Sequence, residues 1–431
     1  MRDIALSVII FSSLPFILKR PWLGVLMFLW LSVMSPQKFT WGFAYSFPFA
    51  ALVAVTTLIG MLLHKDKIRL PVNAITILLA ALPLWMSITY IFALEPADGF
   101  NRWIEVLKVF FFVLVTASLL NSRKQLEYLI WVIVLSVGFY GLKGGLFTLM
   151  TGGGMRVYGP PGDGFISDNN AISVALVMTI PLMQYLRTVS TSKWIRLGLL
   201  GVMVLSGVAV LGSQSRGAFL AVFSMLVFLW LKSRKKVLSG LFLIALIPIV
   251  LAFMPETWTG RMQSIETYDQ DSSVRGRLNA WRMAINLAND RPLVGGGFEP
   301  YSMKTFAMYA PVPEDVHSAH SIYFQMLGEH GYVGLALFLC LGIVAWVISR
   351  RTIAASRDQP AYAWADNMAR AIQVSLVGFA VGGAFVNIAY WELQYYEIVV
   401  LMLTYRLVKT NQRLNVSASS GEPLSIAGSR P

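Results

Sequence analysis

The sequence predicts an all-α polytopic membrane protein, and three observations carry that prediction. Hydrophobic residues make up 56% of the 431 residues and charged residues only 13%, about half of the roughly 25% that a soluble chain carries. The apolar residues gather in runs long enough to cross the ~30 Å hydrocarbon core, which takes about 20 residues of helix. Lys and Arg, 35 against 22 Asp and Glu, collect in short clusters between those runs, as cytoplasmic loops do. The net charge of +13 therefore reads as membrane orientation, and no nucleic-acid partner is expected. The same composition excludes disorder, a coiled coil, a collagen-like fibre and a disulfide scaffold. Cys340, the one cysteine, lies in an apolar run and leaves no intramolecular disulfide.

The N-terminus has no small-residue cleavage site and reads as retained. Lys19, Arg20 and Pro21 split residues 3–34 into two apolar runs, either one span plus a re-entrant piece or a short helical hairpin. Further spans are expected at about 47–63, 72–94, 103–120, 125–150, 170–188, 194–211, 216–232, 236–254, 333–349, 369–387 and 389–407, about 12 in all. The loops around 64–69, 123–124, 187–196, 232–236 and 350–357, and the tail from Arg406, are basic and face the cytoplasm. The alternate loops at 93–102, 151–169 and 212–215 and the long 255–320 segment face outward. The expected organisation is an N-terminal transmembrane bundle (1–254), a long outward loop (255–320), C-terminal transmembrane helices (321–410) and a disordered cytoplasmic tail (411–431).

The long loop contains one amphipathic helix, about 273–289, capped by Ser272 or Ser273. Val274, Leu278, Trp281 and Ile285 recur at helical spacing and form its apolar face. Pro292 and Gly295-Gly296-Gly297 end it. Such a helix can lie on the membrane as a lid over a site between the spans.

Unusual polar residues crowd the outward side. Arg275, Arg277 and Arg282 sit on or beside the lid helix. A solvated basic face is the plain explanation, but a guanidinium fork also matches phosphate geometry. Arg156 follows a Gly-rich stretch and precedes SDNN, whose Asp168 to Asn170 read as turn and cap residues. Arg216, in GSQSRGAFLAVF, stands in an almost loopless turn between two apolar helices. An arginine at such a membrane boundary either snorkels to the headgroups or marks a site. Two of the four histidines, His317 and His320, fall in HSAHS just before a helix. Histidine is the usual general base near neutral pH. No nearby Cys or HExxH pattern accompanies the pair, so no metal is expected. Arginines and a histidine on one outer face suit a lipid-linked diphosphate donor and an acceptor hydroxyl, with arginines neutralising the leaving group. There is no Walker motif and no DxD pair in the outer loops. Hence neither ATP nor a cofactor is expected, and the donor's diphosphate bond supplies the energy.

Three stretches in order, SQSRGAFLA (213–221), SVRGRLNAW through RPLVGGGF (273–298) and HSAHSIYFQMLGEHGYVGL (317–335), resemble the O-antigen ligase superfamily. Its members include O-antigen polymerases and protein O-oligosaccharyltransferases. The resemblance covers roughly residues 150–345 and implies a glycosyltransferase-C-like fold with an active site at the periplasmic face of a bacterial inner membrane. It implies metal-independent, inverting transfer of a preassembled glycan from undecaprenyl diphosphate to lipid A–core, a protein or another glycan. On the family pattern Arg216, Arg277 and His320 fall on functional positions; in the leading reading His320 is the base, Arg216 and Arg277 hold the diphosphate, and Arg156, Arg275 and His317 assist in binding substrate. Ser321 departs from the pattern, which commonly has Asn there. MRVYGP…SDNN and HSAHS look most like the O-glycosylation ligases associated with exosortase systems. A secondary transporter or lipid flippase is the competing class, on the strength of Glu105, Lys108 and Lys143 within spans. Glu105 and Lys108, three apart, are expected to satisfy each other.

Overall fold

A computed structural model describes residues 1–64, 68, 70–162, 164–233, 235–238, 240–241, 245 and 272–420. Among them the chain is helical with no strand, as the hydropathy pattern requires: in hydrocarbon a helix satisfies all its own backbone polar groups. The 3–34 region is two helices, α1 (Arg2–Lys19) and α2 (Trp22–Val33), broken at Arg20 ahead of Pro21. With α3 (Phe49–Leu63) they bury a small apolar cluster of their own around Ile10, Ile17, Leu31 and Phe49.

The main bundle follows: α4 (Ala74–Ile91), α5 (Pro96–Leu119), α6 (Arg123–Met150), α7 (Asn169–Val189), α8 (Lys193–Gly212) and α9 (Arg216–Lys232). Their starts are legible in the sequence. Asn73 and Ser122 form capping boxes with Thr76 and Gln125, and Asp168 caps α7. Residues 272–309 supply α10 (Ser272–Asp290) and α11 (Met303–Tyr309), and α12 (Ile322–Ser356), α13 (Ala363–Gly382) and α14 (Glu392–Ser420) follow. One continuous core joins α2, α4 to α9 and α12 to α14.

Among the described residues six stretches are long and apolar enough to cross a membrane: Ala74–Ile91, Arg123–Met150, Asn169–Val189, Lys193–Gly212, Ile322–Ser356 and Pro360–Phe385. Shorter apolar helices, α2 and α3, add to these. The segment expected to span at 236–254 lies largely outside the described residues. Helix α5 carries Arg102, Glu105 and Lys108 in its first half. Glu105 does not pair with Lys108 as expected. It accepts from Arg102 at 2.6 Å, and Arg102 also donates to Glu299 beyond the lid helix at 3.0 Å. That ties α5 to the segment after α10. At the other end α14 runs to Ser420, past the expected start of a disordered tail at 411. Gln412 pins it by donating to the Ala355 carbonyl at 2.8 Å.

Helix α12 begins well before the apolar run expected at 333–349 and kinks at Gly331, whose φ is 66°. The cause is the loop after the lid helix. Gly296 and Gly297 N–H groups donate to the carbonyls of Gly328 and Glu329, and Tyr332 donates to Pro292. A Cβ on Gly331 would stand 2.6 Å from the Pro292 and Leu293 oxygens, so only glycine accepts both this φ and this approach.

Candidate active site

The lid helix α10 matches its expected bounds within a residue, but it docks on a different face. Leu278 and Ile285, expected to be its apolar contacts, are 38% and 36% exposed. The buried residues are Ala280, Met283, Ala284, Leu287 and Ala288. Small side chains let the helix approach α12 closely, as Ala284 does at Gly328. Side-chain size misleads here because close approach, not bulk, decides the packed face. The proposed caps, Ser272 and Ser273, lie outside the side chains the structure describes. Trp281 anchors the helix to the histidine segment: its Nε1–H donates to the Ala319 carbonyl at 2.7 Å while its ring stacks on Phe324 at 4.7 Å.

That anchor fixes residues 315 to 321. His317 Nδ1 stands 3.0 Å from Asp315 Oδ1, and its ring packs against Gly276, where a Cβ would come within 2.8 Å of Nδ1. Glycine between Arg275 and Arg277 is what lets the lid seat on the histidine. Arg275 is exposed and Arg277 half-buried. His320 is half-buried and adopts φ 42°. Burial holds its imidazole below the ordinary histidine range, Arg277 and His317 push it the same way, and the Asp168 carboxylate opposes them. His320, Arg277, His317 and Asp168 therefore share one electrostatic neighbourhood.

Asp168 does two jobs. Its carboxylate caps α7, accepting from Asn170 and Ala171 N–H at 2.7 and 3.1 Å, and its charge reaches His320. Sequence reasoning found only the cap. It also missed Asn387, whose Oδ1 accepts from the Ser321 N–H at 3.2 Å. An asparagine from the α13–α14 connection thus meets the backbone of the position where the related pattern carries its own.

Arg216 is the first residue of α9, and half-buried. The turn before it is set by Gln214 at φ 55° and held by Asn169, which donates to the Ser213 carbonyl at 2.9 Å. Gly217 lies against Phe385, and Gly383 lies against Ile322. The 383–387 segment thus bridges the start of α9 and the start of α12, with Arg216 at one end of the bridge and His320 at the other. Arg156 belongs elsewhere: it lines a separate cavity with Lys143. Behind His320 lies a buried network. Tyr390 donates to Glu329 at 2.6 Å and, its proton spent, accepts from His330 Nε2 at 2.7 Å, while Thr89 is 2.6 Å from His330 Nδ1. His330 is fully enclosed and packs edge-on against Phe298. No group of three or more metal-ligating His, Cys, Asp or Glu occurs among the described residues.

Comparison with known families gives two matches. Residues 1–191 match a family of unknown function, and residues 201–339 match the O-antigen ligase family. No curated protein matches the chain. The second match holds the Arg216 turn, helix α10 and both histidines of the site, so this part of the chain is similar to the O-antigen ligase family.

Proposed function

We propose that this protein is an O-antigen-ligase-type glycosyltransferase. It moves a preassembled glycan from undecaprenyl diphosphate to an acceptor hydroxyl, lipid A–core in the leading reading, at the periplasmic face of a bacterial inner membrane. The observation that carries the mechanism is His320 held below the ordinary histidine range beside Arg277. An imidazole so placed is neutral at physiological pH and able to accept a proton.

In this reading His320 takes the proton of the acceptor hydroxyl. The oxygen attacks the anomeric carbon, the bond from that carbon to the diphosphate breaks, and the electron pair leaves with the undecaprenyl diphosphate. Attack opposite the leaving group inverts the anomeric centre. Arg216 and Arg277 bind the diphosphate and stabilise the charge that develops on it, the part a metal plays in other enzymes. Arg275 and His317 line the approach, and Arg156 binds substrate from its own cavity. The reading of about 12 spans with basic loops toward the cytoplasm supports an outward-facing site. An acceptor that is a protein or another glycan would make the enzyme an O-oligosaccharyltransferase or a polymerase with the same residues in the same roles. Kinship with exosortase-associated ligases, carried by the HSAHS segment, favours testing those acceptors as well.

The test is transfer from a purified undecaprenyl-diphosphate glycan to lipid A–core in detergent, with EDTA and without ATP. Wild type is expected to transfer, and His320→Ala and Arg216→Ala are expected to lose transfer. Activity that survives both substitutions would overturn the site. A folded wild type active only with a protein or glycan acceptor would move the assignment within the superfamily.

A further inference from the structure

A cavity of about 560 Å³ opens at the C-terminal end of α6. Its walls are Tyr140, Lys143 and Phe147 of α6, Phe39 from the turn after α2, and the Arg156–Gly162 loop with Ser167. The floor is packed: Tyr140, Gly144 and Val157 are buried, and Tyr140 donates to the Met34 carbonyl at 2.6 Å. A Cβ on Gly144 would stand 2.7 Å from Val157, so the loop lies directly on the helix. A volume of this size is within the range of small-molecule sites.

The charge inside it is one-sided. Lys143 and Arg156 line the cavity, and the Lys38 amine reaches its rim at Gly162, 3.9 Å from where a Cβ would be. Among the described residues no carboxylate lines it, and none of these three cations forms an ion pair. Arg102, Arg123 and Arg370, by contrast, each pair with a carboxylate. Lysines and aromatic residues at a membrane boundary commonly serve as anchors facing lipid. Anchors spread around a belt, whereas these cations converge on one concavity together with Phe39, Phe147 and Tyr158. Lys38 and Lys143 lie over the rings of Tyr45 and Phe39 at 4.3 and 5.7 Å, but cations without a carboxylate partner in a partly enclosed site still attract an anion, and aromatic faces suit the sugar or acyl portion attached to it.

The cavity also adjoins the transfer site. Ser167 on its wall directly precedes Asp168, whose charge acts on His320. Val157 N–H donates to the Gly212 carbonyl at 3.2 Å, tying the same loop to the turn that carries Arg216.

We infer that this cavity binds the anionic headgroup, phosphate or carboxylate, of a membrane amphiphile and holds it beside His320 as a substrate. The substrate role rests on the glycosyltransferase reading; the binding itself does not. Full-length protein, purified in detergent and stripped of lipid, is incubated with dioleoyl phosphatidate, dioleoylglycerol or inorganic phosphate and examined by native mass spectrometry. Wild type is expected to retain one phosphatidate and no dioleoylglycerol. The Lys143→Ala/Arg156→Ala double variant is expected to bind it at least about tenfold more weakly. Lys143→Arg alone should keep binding, and Arg350→Ala/Arg351→Ala, at the other end of the bundle, should match wild type. A folded double variant that retains phosphatidate like wild type would overturn the site, as would equal weakening by the Arg350/Arg351 control. Binding of inorganic phosphate that displaces phosphatidate would overturn the amphiphile half of the assignment. Because the readout is binding, a chain that fails to transfer any glycan leaves this result intact.

Discussion

Trp281→Phe separates the positioning of His320 from the packing of the lid. The ring stack on Phe324 survives the change, and the 2.7 Å hydrogen bond from Nε1 to the Ala319 carbonyl does not. Ala319 is fully buried, so its carbonyl is left without that partner, at a cost of about 1–3 kcal/mol. If the bond chiefly fixes the segment that carries His320, that cost falls on the transition state, and turnover drops about 5- to 150-fold. Trp281→Ala removes the stack as well and destabilises the fold by about 3–5 kcal/mol. The assay is glycan transfer under saturating donor beside thermal unfolding in the same detergent. The expected result is a large fall in kcat with a modest fall in Tm for Trp281→Phe, and a large fall in both for Trp281→Ala. Wild-type kcat in a Trp281→Phe protein would refute the idea that this bond positions the base.

Other predictions follow from the same site. Since Arg277 lowers the His320 pKa, Arg277→Gln should raise it and shift the acidic limb of the kcat/KM profile to higher pH, apart from the loss of rate. Asp168→Asn should shift that limb to lower pH, because it deletes the charge that raises the His320 pKa while an asparagine still caps α7; a limb unmoved in both variants would remove His320 from the profile. Gly276→Ala would add about 1 kcal/mol of stability in an open helix, but the 2.8 Å approach of its Cβ to His317 should reverse the sign and lower Tm by an amount equivalent to about 1–3 kcal/mol. Gly331→Ala should be worse, since left-handed strain of roughly 1–2 kcal/mol adds to overlap with two carbonyl oxygens at 2.6 Å; refolding yield and Tm report it.

Local signals survived translation into structure well. The cap at Asp168, the Arg216 turn and the helix near 273–289 were all legible, because each depends on a few adjacent residues whose hydrogen bonds close within one turn of helix. What failed was partner choice across distance. Glu105 has a lysine three residues on, but the structure gives it Arg102, which is held in turn by Glu299. The lid was expected to dock through Leu278 and Ile285, and it docks through alanines because α12 offers Gly328 there. Asn387 carried no signal at all: its contact with Ser321 spans 66 positions of sequence. The early start of α12 was hidden for a related reason, since its first turns are enclosed by protein and need no apolar run.

The left-handed backbone of His320 bears on how the enzyme can be dissected. At φ 42° the residue occupies a conformation that histidine and asparagine enter far more readily than most side chains. An alanine there deletes the imidazole and also penalises the backbone that presents it, so its lost activity mixes two effects. Asparagine keeps the backbone and has no basic nitrogen, which makes His320→Asn the cleaner measure of what the proton transfer alone contributes. The same constraint narrows the routes by which this position can change during evolution: a replacement must tolerate the turn before it can be selected for chemistry.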